Sequence, residues 1–230
     1  MGIPYFNDML QSFVSLYFPK SCLACGGALY SFEIHLCSSC AANLPSARLA
    51  HRVFENPLTD LLRPRFSVFA ALSVYRFEGE GAVRKMLHKI KYNDGEALAF
   101  WIGVQLGEAW RSSGAPLPEV LIPVPLHPKK LRLRGFNQSE RIARGIESVL
   151  KVPVNAKHLL RTTYQRSQTR LGRMQRWENI GNSFGLAEHP QSYEHIALVD
   201  DMITTGSTLE SCALALKCKR LSILSVAYEA

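Results

Sequence analysis

The sequence has no long apolar run. Nowhere does it approach the roughly 20 consecutive apolar residues that a membrane-spanning helix needs, so no transmembrane segment is expected. Its first residues show no basic stretch leading to a small-residue cleavage site, so no secretory leader is expected and the cytoplasm is the expected location. Repeats and low-complexity tracts are missing, which excludes a solenoid or a disordered linker protein. The Walker pattern GxxxxGKS/T is also missing, which excludes the P-loop nucleotide enzymes. Acidic residues are scarce: 19 Asp and Glu stand against 27 Lys and Arg, a net charge of +8. The shortfall is local. Between positions 127 and 176, thirteen Lys/Arg face two Asp/Glu, a local +11, while the rest of the chain carries fourteen against seventeen. Such asymmetry suits an anionic partner, a phosphorylated metabolite or a nucleic acid, as readily as it suits a solvated basic face.

What is present is an ordinary globular composition. With 230 residues, 47% of them hydrophobic and 20% charged, the chain can bury one good-sized core and carry a small extra module. Positions 4–18, PYFNDMLQSFVSLYF, set Phe6, Met9, Leu10, Phe13, Val14 and Tyr17 at helical spacing. That face lacks the Lys/Arg of a membrane-surface helix, so packing against the protein is expected. A cysteine-rich stretch follows, and then a polar connector, 51–65, marked by Pro57 and Pro64. From residue 66 onward the pattern alternates. Strands are expected within 66–77 and at 120–126, 196–201 and 221–229, and helices at 79–92, 96–110, 137–150 and 207–217. Asn137, with Glu140 three residues on, reads as a capping-box variant. Continuously apolar strands alternating with helices predict an α/β fold with a doubly wound, mostly parallel sheet over 66–230, preceded by a helix-plus-cysteine module over 1–50. Ligands of such sheets bind beyond the carboxyl ends of the strands, which is where Asp200 and Asp201 fall.

Cys22-Leu23-Ala24-Cys25 and Cys37-Ser38-Ser39-Cys40 are two CxxC pairs, eleven residues apart. Thiolates at this spacing converge on a tetrahedral zinc, and Gly26-Gly27 after the first pair suits a tight knuckle turn. Disulfides are the alternative, disfavoured in a reducing compartment. Four sulfur ligands leave no open coordination position, so the expected role of Cys22, Cys25, Cys37 and Cys40 is structural. Cys212 and Cys218 lack ligand spacing and read as small buried apolar side chains.

The most informative stretch is ALVDDMITTGSTL, Ala197 to Leu209. An apolar strand runs into two carboxylates, Asp200 and Asp201. After two more residues comes Thr204-Thr205-Gly206-Ser207-Thr208, in which every residue is small and four of the five carry a hydroxyl. Gly206 lets the backbone approach a ligand closely. Consecutive N–H groups at a helix start make an anion cradle, and a phosphate monoester fits it. A turn-forming or capping role explains one aspartate but not a pair beside such a loop. A ribose 5-phosphate has parts for both: a phosphate for the loop and vicinal hydroxyls for the acids. Carboxylates there would also stabilise an oxocarbenium-like centre.

This pattern resembles the phosphoribosyl pyrophosphate (PRPP) signature of type I phosphoribosyltransferases. The resemblance implies that Asp200 and Asp201 hold the ribose hydroxyls and support the cationic transition state, and that Thr204 to Thr208 hold the 5-phosphate. More of the chain is similar to the ComF family of competence-associated proteins, which includes GntX-like proteins. The stretches are FPKSCLACGG, the second CxxC, KIKYNDG at 89–95, PVPLHPKKLRLRGFNQSE at 123–140 and RSQTRLGRMQRWENIGNSF at 166–184. Lys217-Cys218-Lys219-Arg220 departs from the Gly-Ala turn expected before the last strand.

PRPP needs a second anion site for its diphosphate. The loop HPKKLRLRGFNQS is the candidate: Arg132 and Arg134 as clamps on phosphate oxygens, Gly135 for backbone room. Magnesium keeps several waters and bridges phosphates with few protein ligands, which suits a diphosphate beside two carboxylates. Lys129 and Lys130 read as solvated, or as DNA contacts. By resemblance 161–179 is a hood that closes over substrate and excludes water. The rival reading is a single-stranded DNA groove along 127–176, with Tyr164 and Trp177 as stacking platforms. Two functions are therefore expected: a phosphoribosyltransferase acting on an unidentified acceptor, or a DNA-binding competence factor that uses PRPP as a regulatory ligand or not at all. By family, helicase or recombination proteins of competence are the implied partners.

Overall fold

A computed structural model describes residues 20–92, 95–161 and 184–229. The helix expected at 4–18 lies outside these residues, as do Tyr164, Trp177 and nearly all of the expected hood.

The core is a four-stranded, fully parallel sheet. Its strands are β1 (Ala70–Phe77), β2 (Val120–Pro123), β5 (His195–Ile203) and β6 (Arg220–Glu229), in the order β1-β6-β5-β2. A short antiparallel pair, β3 (Leu159–Arg161) with β4 (Phe184–Leu186), stands apart from it. The apolar run Ile196 to Val199 is buried because β5 is an inner strand, paired to β6 on one side and β2 on the other. Pairing continues past the expected end at 201, with Met202 opposite Ala227 and Ile203 opposite Tyr228, so both aspartates sit within the last four residues of an ordered strand. The α/β class and the parallel sheet expected from the alternating pattern are what the chain forms.

Two long helices, α4 (Gly95–Ser113) and α6 (Gln138–Leu150), pack against each other and against the sheet. They cross on glycines. A Cβ at Gly103 would lie 2.1 Å from the Ile142 carbonyl oxygen, and one at Gly145 would lie 2.2 Å from that of Phe100. Only hydrogen fits at that crossing, and the close approach fixes where α6 begins. No helix among the described residues is long and apolar enough to cross a membrane.

Two stretches depart from the sequence reading. The expected connector, 51–65, is not a polar tether. It holds a 3-10 turn, Ala50–Arg52, and helix α2 (Pro57–Leu62), and it buries Val53, Leu58 and Leu62 at 2% exposure or less, as the preceding Leu49 also is. Asn56 caps α2 by accepting from the N–H groups of Leu58 and Thr59, and Thr59 returns the bond. The expected loop after β2 is also a helix, α5 (Pro128–Arg134), opened by His127 with Pro128 in its first turn and closed by Gly135 in the left-handed region. Asn137 caps α6 as expected, through the N–H of Ser139, but Glu140 faces Arg144 instead of reaching back. The cysteine-bearing segment, with α1 (Ser38–Ala42), meets the body where Lys85 Nζ on helix α3 (Ala82–Lys89) donates to the Ala24 carbonyl at 2.5 Å and His35 sets its ring edge against Trp101. Cys212 is buried on helix α7 (Ser207–Ala215); Cys218 lies beyond that helix and is half-buried.

Candidate functional site

Two clusters of acidic side chains stand out. The first is the cysteine set. The Sγ atoms of Cys22, Cys25, Cys37 and Cys40 all lie within 4.8 Å of one another, and Cys25 and Cys37 are 3.9 Å apart. A tetrahedral ion with bonds of about 2.3 Å sets its ligands about 3.8 Å apart, so the set can hold a metal ion. The knuckle turn forms as expected: Gly26 N–H donates to the Cys22 carbonyl and Gly27 N–H to Cys25 Sγ. Burial opposes the Cys22 thiolate, but N–H donors of Cys25, Cys37 and Ala24 outweigh it and lower its pKa to about 6. Hydrogen bonds to the sulfurs of Cys37 and Cys25, with burial, keep the proton on Cys40 and push it up to about 12. Four sulfurs this close do not all ionise without a cation among them.

The second cluster is the aspartate pair on β5. Each of the two residues is 8% exposed. Asp200 Oδ1 accepts from the Ser139 hydroxyl at 3.2 Å and from the N–H of Asp201 at 2.9 Å. Asp201 Oδ2 accepts from Gln138 Nε2 at 3.3 Å and lies 3.8 Å from Lys91 Nζ. Burial, and then the charge of Asp201, push Asp200 up to about 8 against those two donors. The pair therefore favours a partner that brings hydroxyl donors or positive charge.

Beyond the strand the chain turns through Thr204 and Thr205 into α7. Its N-cap is Gly206 at φ +76°, which has no side chain to cap it, so beyond the Ser207 N–H its first N–H groups are left for a ligand or water. Ser207 N–H leans on Thr205 Oγ1, 3.5 Å away. A Cβ at Gly206 would meet Leu62 Cδ2 at 2.6 Å, so the misread connector forms a wall of this corner. Asp200, Thr204, Gly206, Ser207 and Thr208 line one small concavity. Arg132, Arg134 and Gly135 are placed differently. They close the last turn of α5, and among the described residues neither arginine makes a polar contact with the aspartates. The chain reaches the pair three and four residues after Gly135, through Gln138 and Ser139.

Lys91, Gln138 and Ser139 are the residues that sequence reasoning missed. Gln138 and Ser139 sit in the first turn of a capped helix, where polar residues are ordinary. The one available signal is that KIKY and GFNQSE both lie in segments that carry the family resemblance. Gln138 is 6% exposed and its Oε1 has no partner, a cost on the order of 1–3 kcal/mol for a sealed acceptor.

Comparison with curated proteins adds a relationship. The chain is 27% identical over 202 residues to competence protein F of Haemophilus influenzae, spanning 85% of this chain and 78% of that protein. It is 31% identical over 132 residues to the DNA utilization protein YhgH of Shigella flexneri and 32% identical to that of Salmonella typhi. The chain is similar to competence and DNA utilization proteins. The match to the DNA utilization proteins spans 58% of their length and 56% of this chain, little more than half of each. No family profile and no solved structure matches the chain.

Proposed function

We propose that this protein binds PRPP at the carboxyl edge of its parallel sheet and transfers the phosphoribosyl group to an acceptor, releasing pyrophosphate, in the service of DNA uptake or utilisation. The observation that carries the reading is a juxtaposition: the buried Asp200 and a helix start whose N-cap is a bare glycine, dressed with small hydroxyl residues, line one corner, and the buried Asp201 is the next residue of the strand. Thr204 to Thr208 take the 5-phosphate, and Asp200 and Asp201 take the ribose hydroxyls. Arg132 and Arg134, with Gly135 giving room, take the diphosphate from the end of α5. Magnesium bound with the diphosphate beside Asp200 and Asp201 would offset charge on the leaving group.

The chemistry follows from the charges. The bond from the anomeric carbon to the diphosphate oxygen breaks, and its electron pair leaves with pyrophosphate. Positive charge grows on the anomeric carbon and ring oxygen, where the nearby carboxylates stabilise it. The acceptor's lone pair closes the new bond, and its proton passes to solvent. In this reading residues 66–230 form the transferase domain, and the module within 1–50 holds a structural zinc on its four thiolates.

Titration of PRPP with magnesium, followed calorimetrically, tests the reading. Micromolar binding by the wild type, lost in Asp200→Asn/Asp201→Asn, is the expected result. Absence of binding by the wild type sinks it. The names of the relatives and the basic excess over 127–176 favour one second reading, a single-stranded DNA-binding factor. Its mark is DNA affinity that falls steeply with salt.

A further inference from the structure

We propose that Gln138 and Ser139 position the aspartate pair for two neighbouring hydroxyls, and so make the site prefer a ribose 5-phosphate over a 2-deoxyribose 5-phosphate. The inference rests on the sugar-phosphate reading of this edge and names two residues that act through the carboxylates.

Successive residues of one helix hold one carboxylate each. Ser139 Oγ donates to Asp200 Oδ1, and Gln138 Nε2 donates to Asp201 Oδ2. Both are buried, at 1% and 6% exposure, so neither bond is loosened by water. The backbone N–H of Asp201 also lands on Asp200 Oδ1, and Lys91 Nζ on Asp201 Oδ2. Each aspartate thus has one oxygen engaged by the scaffold. Among the described residues, none outside the pair bonds to the other oxygen, Asp200 Oδ2 or Asp201 Oδ1, and neither of these atoms is sealed from solvent. One oxygen on each of two adjacent acids is thus left to the pair and to a ligand, which suits a vicinal diol, one hydroxyl to each acid.

Packing does not account for the amide. Gln138 Oε1 is sealed without a partner, whereas a methionine of similar length would leave no orphan. Turning the amide over would set its oxygen against the Asp201 carboxylate and strand the nitrogen instead. The arrangement gains one thing, a fixed rotamer for Asp201. The start of α6 is itself anchored, since Asn137 Nδ2 donates to the Val124 carbonyl at 3.1 Å. Without these donors each carboxylate can turn, and the two open oxygens lose the spacing that a diol requires.

The test is a calorimetric comparison of ribose 5-phosphate with 2-deoxyribose 5-phosphate on the full chain. The variants are Ser139→Ala, Gln138→Met and the conservative Ser139→Thr. The wild type should prefer the ribose by about tenfold, the worth of one hydrogen bond to a charged group. Ser139→Ala and Gln138→Met should each bring the preference to about threefold or less while deoxyribose affinity stays within about twofold, and Ser139→Thr should restore the preference. The ratio is taken on one protein, so a general loss of stability cancels from it. Folded variants with the wild-type preference would overturn the positioning role. A wild type that binds both sugars equally would overturn the diol assignment. A wild type that binds neither would remove the sugar-phosphate reading and this inference with it.

Discussion

The cysteine segment and the sheet edge each gather like-charged groups, but on different foundations. Of residues 20–44, only Cys22 and Leu36 are buried, so the segment around the four sulfurs has almost no core of its own. Asp200 and Asp201 instead lie near the end of a strand with neighbours on both sides, and every contact that holds them comes from the protein. A bound ion would supply the order that the first region lacks. In the second, the order precedes any ligand and the carboxylates are held against their mutual repulsion. Removing the ion should therefore cost structure, while removing an aspartate should cost binding and leave the fold intact.

The largest effect should follow from breaking the cysteine set. Chelation, or Cys37→Ser with Cys40→Ser, removes a binding energy of about 10–16 kcal/mol in peptides of this kind. Amide exchange over 20–44 should rise to near-unprotected rates while β5 and β6 stay protected. Collapse of the sheet as well would erase the distinction. Next, Gly145→Val drives a side chain into the Phe100 carbonyl and should destabilise the body by about 3 kcal/mol or more, with bound metal unchanged. A third effect is pH-dependent. Asp200 is raised from the ordinary carboxylate range to about 8, so the native state holds a proton that the unfolded chain gives up. Its contribution is fully present below about pH 4 and is lost as pH rises through about 8. Ligand-free wild type should lose roughly 1–3 kcal/mol between about pH 5 and 9 from this group, and denaturant melts of Asp200→Asn should lack that slope. The smallest is Gly206→Ala, which strains a left-handed residue and crowds Leu62, for about 1 kcal/mol and weaker phosphate binding.

Legibility in the sequence followed how local each signal was. The cysteine spacing carries its own geometry, and the fold honours it. The run into Asp200 and Asp201 reads as a buried strand because parallel strands are apolar on both faces. Helix α5 was hidden by exposed Lys and Arg, which read as loop, although Pro128 and Gly135 are ordinary start and stop signals for a helix. The stretch over 51–65 looked polar because Val53, Leu58 and Leu62 are spread among prolines and charges, and they pack into a core drawn from across the chain. Gln138 and Ser139 were illegible for the same reason. Their partners lie 63 and 61 residues away, and the packing of α6 on β5 brings them together.

The most direct test of the contrast is amide exchange on the metal-loaded protein, with and without PRPP and magnesium, followed at both regions at once. The account predicts new protection at 204–209 and at the start of α6, with 20–44 unchanged. Protection that leaves 204–209 untouched, whether it appears elsewhere or nowhere, would contradict the claim that the sheet edge is a prebuilt sugar-phosphate site.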